Sequence, residues 1–147
     1  MKRLLLLCMF LAGCQQPADF VDIHGHGHRF SDYAGKWVLV NYWATWCGPC
    51  IKEIPELNTL AAQHGDRLVI LGVNYDEPKG SKAVAAAEKM KIAFPVLSSD
   101  PSKRLGIQVP DVLPTTFVFA PGMKLANTLV GPQTGKSILA ALDQPNS

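Results

Sequence analysis

Two cysteines separated by Gly48-Pro49, where an apolar run gives way to a helical pattern, constrain this chain more than any other stretch. Before them, Val38-Leu39-Val40-Asn41-Tyr42-Trp43 is rich in β-branched and aromatic residues and reads as a buried strand. After them, Ile51, Ile54, Leu57, Leu60 and Ala61 recur at the spacing of one helix face. Pro49 then falls in the first helical turn, where its missing N–H does no harm. Cys47 lies against the positive end of that helix, which favours the thiolate over the thiol. A pair at this spacing can close a small disulfide ring or hold a dithiol with little backbone movement. Its surroundings suit thiol–disulfide exchange.

The elements around the pair define the fold class. The first helix is expected from about Pro49 to His64, kinked at Pro55 and capped by Gly65. Arg67 to Asn74 is a second buried strand, so strand, helix and strand form a βαβ unit with parallel strands. A helix capped by Ser81 is expected to reach about Lys91, followed by an extended piece at Phe94–Leu97 and one helical turn at Pro101–Leu105. Thr115–Phe119 and Leu125–Val130 read as strands paired antiparallel across the turn at Ala120–Met123, and Thr134 or Gly135 opens a last helix ending near Leu142. The expected architecture is α/β, with a central mixed sheet (βαβ, then ββα) flanked by helices.

The N-terminus reads as a processing segment. Lys2 and Arg3 precede an apolar run from Leu4 to Leu11, too short for a permanent membrane span. Leu11-Ala12-Gly13-Cys14 resembles the lipobox of bacterial lipoproteins, in preference to an ordinary secretory signal or an uncleaved anchor. That resemblance implies cleavage of residues 1–13, lipid on Cys14, a tether over 14–18 and a single domain over 19–147. Of the four cysteines, Cys8 would leave with the signal and Cys14 would be blocked, so only Cys47 and Cys50 remain as thiols. Losing Lys2 and Arg3 lowers the 14 basic residues to 12, equal to the 12 acidic ones, and no basic surface for nucleic acid is expected.

The run Val38 to Cys50, with Pro55 five residues after the second cysteine and Leu113-Pro114-Thr115-Thr116-Phe117 ahead of the third strand, resembles the thioredoxin superfamily. Within it, the resemblance is to the membrane-anchored TlpA/ResA-type extracytoplasmic thiol–disulfide oxidoreductases. It covers Trp37 to the C-terminus; Asp19 to Lys36 matches only loosely, as an N-terminal extension. The resemblance implies that Cys47 is the nucleophile and that Cys50, one turn in and more buried, resolves the mixed disulfide. It makes Pro114 a cis proline beside the sulfurs, with Pro110 the competing candidate. Trp46, Gly48, Pro49, Leu113 and Thr115 become contacts for an extended substrate segment, while Trp43 reads as core.

Two positions depart from cytoplasmic thioredoxin. Asn41 stands at its buried aspartate, and Glu53, three residues after Cys50 on the same helical side, matches a glutamate that tunes the pair in the TlpA/ResA group. A carboxyl partly buried beneath a thiol would have a raised pKa and could exchange protons with Cys50. Glu56 reads as solvated surface, and His64 as a helix-end residue suited to the dipole. The Gly-Pro dipeptide matches thioredoxin, a reductant at about −270 mV. The implied activity is reduction of extracytoplasmic protein disulfides, in apocytochrome c or elsewhere, without a cofactor beyond the Cys47–Cys50 pair. The implied partners are protein thiols and disulfides and a membrane thiol electron donor. The chain would be a monomer held at the membrane by its lipid, on the periplasmic side. Gln15 after Cys14 leans toward the outer membrane.

His24, His26 and His28 are the one feature this family does not explain. On a strand, period two would put all three on one face, a set suited to copper, nickel or zinc; in a glycine-flexed loop they would merely be solvated. A copper-carrying module is therefore the alternative function, with an edge hairpin over Asp22–Phe30 as its frame. A thiol peroxidase is a third reading, opposed by Pro49 and Cys50 directly behind Cys47. Gly131-Pro132-Gln133-Thr134-Gly135-Lys136-Ser137 resembles a phosphate-binding loop, but it has three residues between the glycines where four are required, and Pro132 removes an N–H.

Overall fold

The structure is a computed structural model that describes residues 17–144. Cys8, Cys14 and the proposed leader lie outside the described residues. A four-stranded sheet runs in the order β4-β3-β5-β6, with β3 at Trp37–Trp43, β4 at Leu68–Asn74, β5 at Thr115–Ala120 and β6 at Lys124–Val130. β3 and β4 are parallel, in register from Trp37↔Leu68 to Trp43↔Asn74. β3–β5 and β5–β6 are antiparallel, with a register shift at Val118/Phe119. The mixed α/β sheet expected from the sequence is present, and its strands depart from expectation by one residue at the start of β4, the end of β5 and the start of β6.

Period two along β3 sorts its residues between two cores. Leu39 packs with Leu57 and Leu60 of helix α1 (Gly48–His64) and Ile138 and Leu142 of α4 (Gly135–Asp143). Val38, Val40 and Tyr42 face the other way, with Phe20, Leu71, Phe117 and Phe119. Asn41 lies between Leu39 and Trp43 and so shares the α1 side of the sheet. That placement sets a polar side chain against helix α1.

α1 continues through Pro55, and the Thr59 hydroxyl donates to the Pro55 carbonyl at 2.9 Å. Gly65 caps it in the right-handed region, not the left-handed one that glycine caps usually adopt. α2 spans Ser81–Lys89. Its cap is Gly80 at φ 57°, with no side-chain hydrogen bond, so Ser81 begins the helix and does not cap it. A short α3 follows at Ser102–Leu105.

The N-terminal hairpin lies two residues earlier than the expected Asp22–Phe30, with β1 at Phe20–Val21 and β2 at Gly27–His28. It is stitched to the Pro95–Ser98 segment by Ile23 N–H to Val96 O (2.8 Å) and Ser98 N–H to Val21 O (2.9 Å). That segment in turn pairs with Gly72 at the edge of β4. The Pro95–Ser98 segment thus pairs with the β4 edge of the sheet, and the hairpin pairs with the outer side of that segment.

Candidate active site

Cys47 is the N-cap of α1 and Cys50 lies in its first turn, joined in a disulfide with S–S 2.06 Å and Cα–Cα 5.3 Å. Cys47 Sγ also accepts the Cys50 N–H at 3.2 Å. The sulfur thus sits where a serine or aspartate would cap an ordinary helix, facing the N–H groups left over at its start. Cys50 is fully buried and Cys47 is 5% exposed, the order expected from the sequence. Gly48 and Pro49, between them, are exposed.

A groove of about 460 Å³ opens beside Cys47, lined by Trp46, Gly48, Pro49, Tyr75, Asp111, Val112 and Leu113. Trp46 is 65% exposed, and its indole N–H is held by both carboxylate oxygens of Asp76 at 3.1 and 2.9 Å. The Leu113–Pro114 peptide is cis. Pro114 itself is buried, and its carbonyl accepts the Gly131 N–H at 2.8 Å. Leu113 lines the groove; Thr115 lines an adjoining one and donates its hydroxyl to Val112 O at 2.8 Å.

Behind the cysteines lies a buried polar network. Glu53, 2% exposed, accepts from Asn41 Nδ2 at 3.0 Å on one oxygen and from the Gln133 backbone N–H at 3.0 Å on the other. Asn41 Nδ2 also donates to Thr116 Oγ1 at 2.9 Å, and Asn41 Oδ1 is buried without a hydrogen bond. Burial raises the Glu53 pKa above its ordinary 4.5, and the two donors limit that rise. The carboxyl is thus more ready to hold a proton than a surface glutamate. Glu56 is exposed but not merely solvated: it accepts the Gly135 N–H at the start of α4 at 3.0 Å.

The three histidines do not lie along one strand, although the His24 and His26 rings are close, with centroids 6.2 Å apart. His28 lies in β2, while His24 and His26 fall in the turn before it. Asp22, 5% exposed, gathers the segment by accepting the backbone N–H groups of His24 (2.8 Å) and His26 (2.9 Å). Its other oxygen meets His26 Nδ1 at 3.0 Å and His28 Nε2 at 3.3 Å. Among the described residues, no three His, Cys, Asp or Glu side chains converge so as to hold a metal ion. The glycines bend the segment where a regular strand would have aligned the rings.

Sequence reasoning missed Asp76, Gln133 and the central role of Asp22. Gln133 acts through its backbone N–H, and nothing in its residue type points to that. Asp22 carried a signal, a lone acid beside three histidines.

The sequence matches the AhpC/TSA family over residues 14–128. The thiol–disulfide oxidoreductase ResA of Geobacillus kaustophilus is 38% identical over 123 residues, 82% of this chain and 70% of that protein. The exposed lipoprotein thioredoxin Etrx1 of Streptococcus pneumoniae superimposes with a TM-score of 0.66 at 28% identity, covering 84% of this chain and 96% of that one. A DsbF homologue from Corynebacterium diphtheriae does so with a TM-score of 0.71 at 22% identity, covering 91% and 89%.

Proposed function

The chain belongs to the AhpC/TSA family and is a thioredoxin-like thiol–disulfide oxidoreductase, and on that premise we propose that it reduces disulfides of extracytoplasmic proteins from a lipid anchor. The observation that carries this reading is the Cys47–Cys50 pair at the start of α1, opening onto the groove of Trp46 and Leu113.

In this reading the reduced Cys47 thiolate attacks a substrate disulfide, forming a mixed disulfide while one substrate thiolate leaves. Cys50 loses its proton and attacks Cys47 Sγ; the Cys47–Cys50 disulfide closes and the second substrate thiolate departs. Two electrons pass from the enzyme dithiol to the substrate, and a membrane dithiol donor restores them. Glu53, three residues beyond Cys50 on α1, takes and returns the Cys50 proton. Its burial and raised pKa support that role. Trp46, Gly48, Pro49 and Leu113 receive the substrate beside Cys47, and Pro114 fixes the backbone from which Leu113 and Thr115 project. No further cofactor enters these steps.

Lipidation of Cys14 after loss of residues 1–13, a tether over 14–18 and a domain over 19–147 complete the proposal. The Leu11-Ala12-Gly13-Cys14 sequence supports it, as does the likeness to a protein described as an exposed lipoprotein thioredoxin. No helix among the described residues is long and apolar enough to cross a membrane. The outer membrane is the favoured site, the molecule acts as a monomer, and apocytochrome c is one candidate substrate. Labelling with radioactive palmitate should mark the wild type and not Cys14→Ser; equal labelling would refute the anchor.

Equilibration with glutathione tests the direction of electron flow. A reductase should show one two-electron transition near the roughly −270 mV of thioredoxin. A value near the roughly −120 mV of DsbA would make it an oxidase.

A further inference from the structure

The exposed apolar side chains of this protein are not scattered. Among the described residues, eight large hydrophobic side chains are exposed. Trp46 and Tyr75 line the groove at Cys47. Val109, Leu125 and Val130 line a second groove of about 490 Å³, and Val112 lines both. Six of the eight therefore border two adjoining grooves that share Asp111 and Val112. Such concentration on one side marks a contact surface, whereas single exposed apolar residues do not.

The build of the second groove follows from strand register. Thr115 pairs with Val130 and Phe117 with Thr128, so these four side chains share one face of β5–β6 and form the floor. The segment from Gly106 to Val112 forms the wall. It leads directly into Leu113 and Pro114, so the wall of the second groove and the rim of the first are one stretch of backbone. At 41–59% exposure, Val109, Val112, Leu125 and Val130 keep much of their apolar surface in water. That surface gains about 25 cal/mol per Å² when covered.

We propose that this second groove is an apolar subsite for the polypeptide whose disulfide reaches Cys47, taking large apolar side chains that flank the substrate cysteine by a few residues. The inference rests on the disulfide-exchange reading of Cys47 and Cys50. Its occupant is an extended or unfolded segment, because only such a segment can keep a sulfur at Cys47 while its side chains pass Val112 into the neighbouring groove. The enzyme thereby selects cysteines lying in apolar sequence, which are exposed only before a substrate protein has folded.

The test uses two synthetic peptides, each carrying one cysteine as a mixed disulfide with 2-nitro-5-thiobenzoate. One has Leu and Phe at the flanking positions and the other has Ser. The small disulfide 5,5′-dithiobis(2-nitrobenzoate) serves as reference. The reduced full-length protein should react with the apolar peptide about ten- to hundredfold faster in the single-turnover second-order rate constant, the effect of burying one to two large apolar side chains. Val130→Asp on the floor and Val109→Asp on the wall, each at an exposed site, should cut that preference to about twofold or less. Val21→Asp, on the N-terminal hairpin, should leave it intact. A wild type without preference, or a preference unmoved by both groove variants, would overturn the subsite. A shift in sedimentation with Val130→Asp and no change in preference would also overturn it, making the groove a contact between two copies. Failure to reduce even the reference disulfide would overturn the exchange reading itself.

Discussion

Asn41 Nδ2 lies 3.0 Å from Glu53 Oε2, joining the middle of β3 to the first turns of the active-site helix inside a buried network. The Gln133 backbone N–H bonds the other carboxyl oxygen, and Thr116 joins the network through Asn41. Asn41 offers that carboxyl a donor, and its unpartnered oxygen would accept a hydrogen bond after rotation of the amide. The site is suited to an acid that changes its protonation state.

Replacing Glu53 by Gln should separate stability from activity. Burial raises the folded-state pKa of Glu53 above 4.5, so the folded protein binds this proton more tightly than the unfolded chain does. Stability attributable to it is complete below the unfolded value, falls as pH rises toward the folded value, and stays low above. Thermal unfolding of Glu53→Gln should therefore show a midpoint above wild type at alkaline pH and no gain at pH 4. The same variant should slow closure of the Cys47–Cys50 disulfide about a hundredfold, the usual loss on removing a general base. Stopped-flow tryptophan fluorescence of the exchange reaction reads that rate. An unchanged rate would remove Glu53 from the proton path.

Cys50→Ser should accumulate a mixed disulfide on Cys47, and Cys47→Ser should not. Intact-mass spectrometry of each variant after mixing with a peptide disulfide counts the adduct. Adducts on Cys50 alone would reverse the assignment of nucleophile and resolving cysteine.

Gly72 faces a filled site. A Cβ there would stand 3.0 Å from Trp43 Nε1, 3.1 Å from Phe94 Cε2 and 3.2 Å from Val96 Cγ2. Gly72→Ala should cost about 1–3 kcal/mol by overpacking. Urea denaturation should report a lower midpoint with an unchanged slope.

Asp22 holds the N-terminal hairpin together. Burial raises its pKa, but the donors from His24, His26 and His28 outweigh this and hold it at about 2, below the ordinary 3.8. The resulting stability, about 2 kcal/mol, is present above pH 4 and is lost as pH falls through 2. Asp22→Asn should destabilise the protein by about that amount at pH 7 and by little near pH 2. Equal losses at both pH values would mean that the ionised carboxylate is not what secures the hairpin.

The parts that were legible in the sequence are those written in local pattern. The apolar run of β3 and the spacing of Ile54, Leu57 and Leu60 gave the βαβ unit, and the Cys-Gly-Pro-Cys junction gave the site. Glu53 was legible because helical period puts it on the Cys50 side of α1 and the family resemblance has a glutamate at that position. What escaped depended on contacts distant in sequence or on the backbone. Asp76 holds Trp46 across 30 residues, and Gln133 reaches Glu53 across 80 through an N–H that every non-proline residue carries. The His triplet leaves strand and glycine-flexed loop open as a sequence, and Gly25 at φ 86° turns the chain between His24 and His26. The Gly106–Val112 wall carries no motif at all; its relation to β5 and β6 exists only in the folded sheet.

Catalytic reduction of a protein disulfide by excess dithiothreitol tests the central claim most directly. Trace amounts of the wild-type protein should accelerate it through many turnovers, and Cys47→Ser should leave only the uncatalysed rate. Wild-type acceleration that persists undiminished in Cys47→Ser would contradict an exchange mechanism centred on this pair.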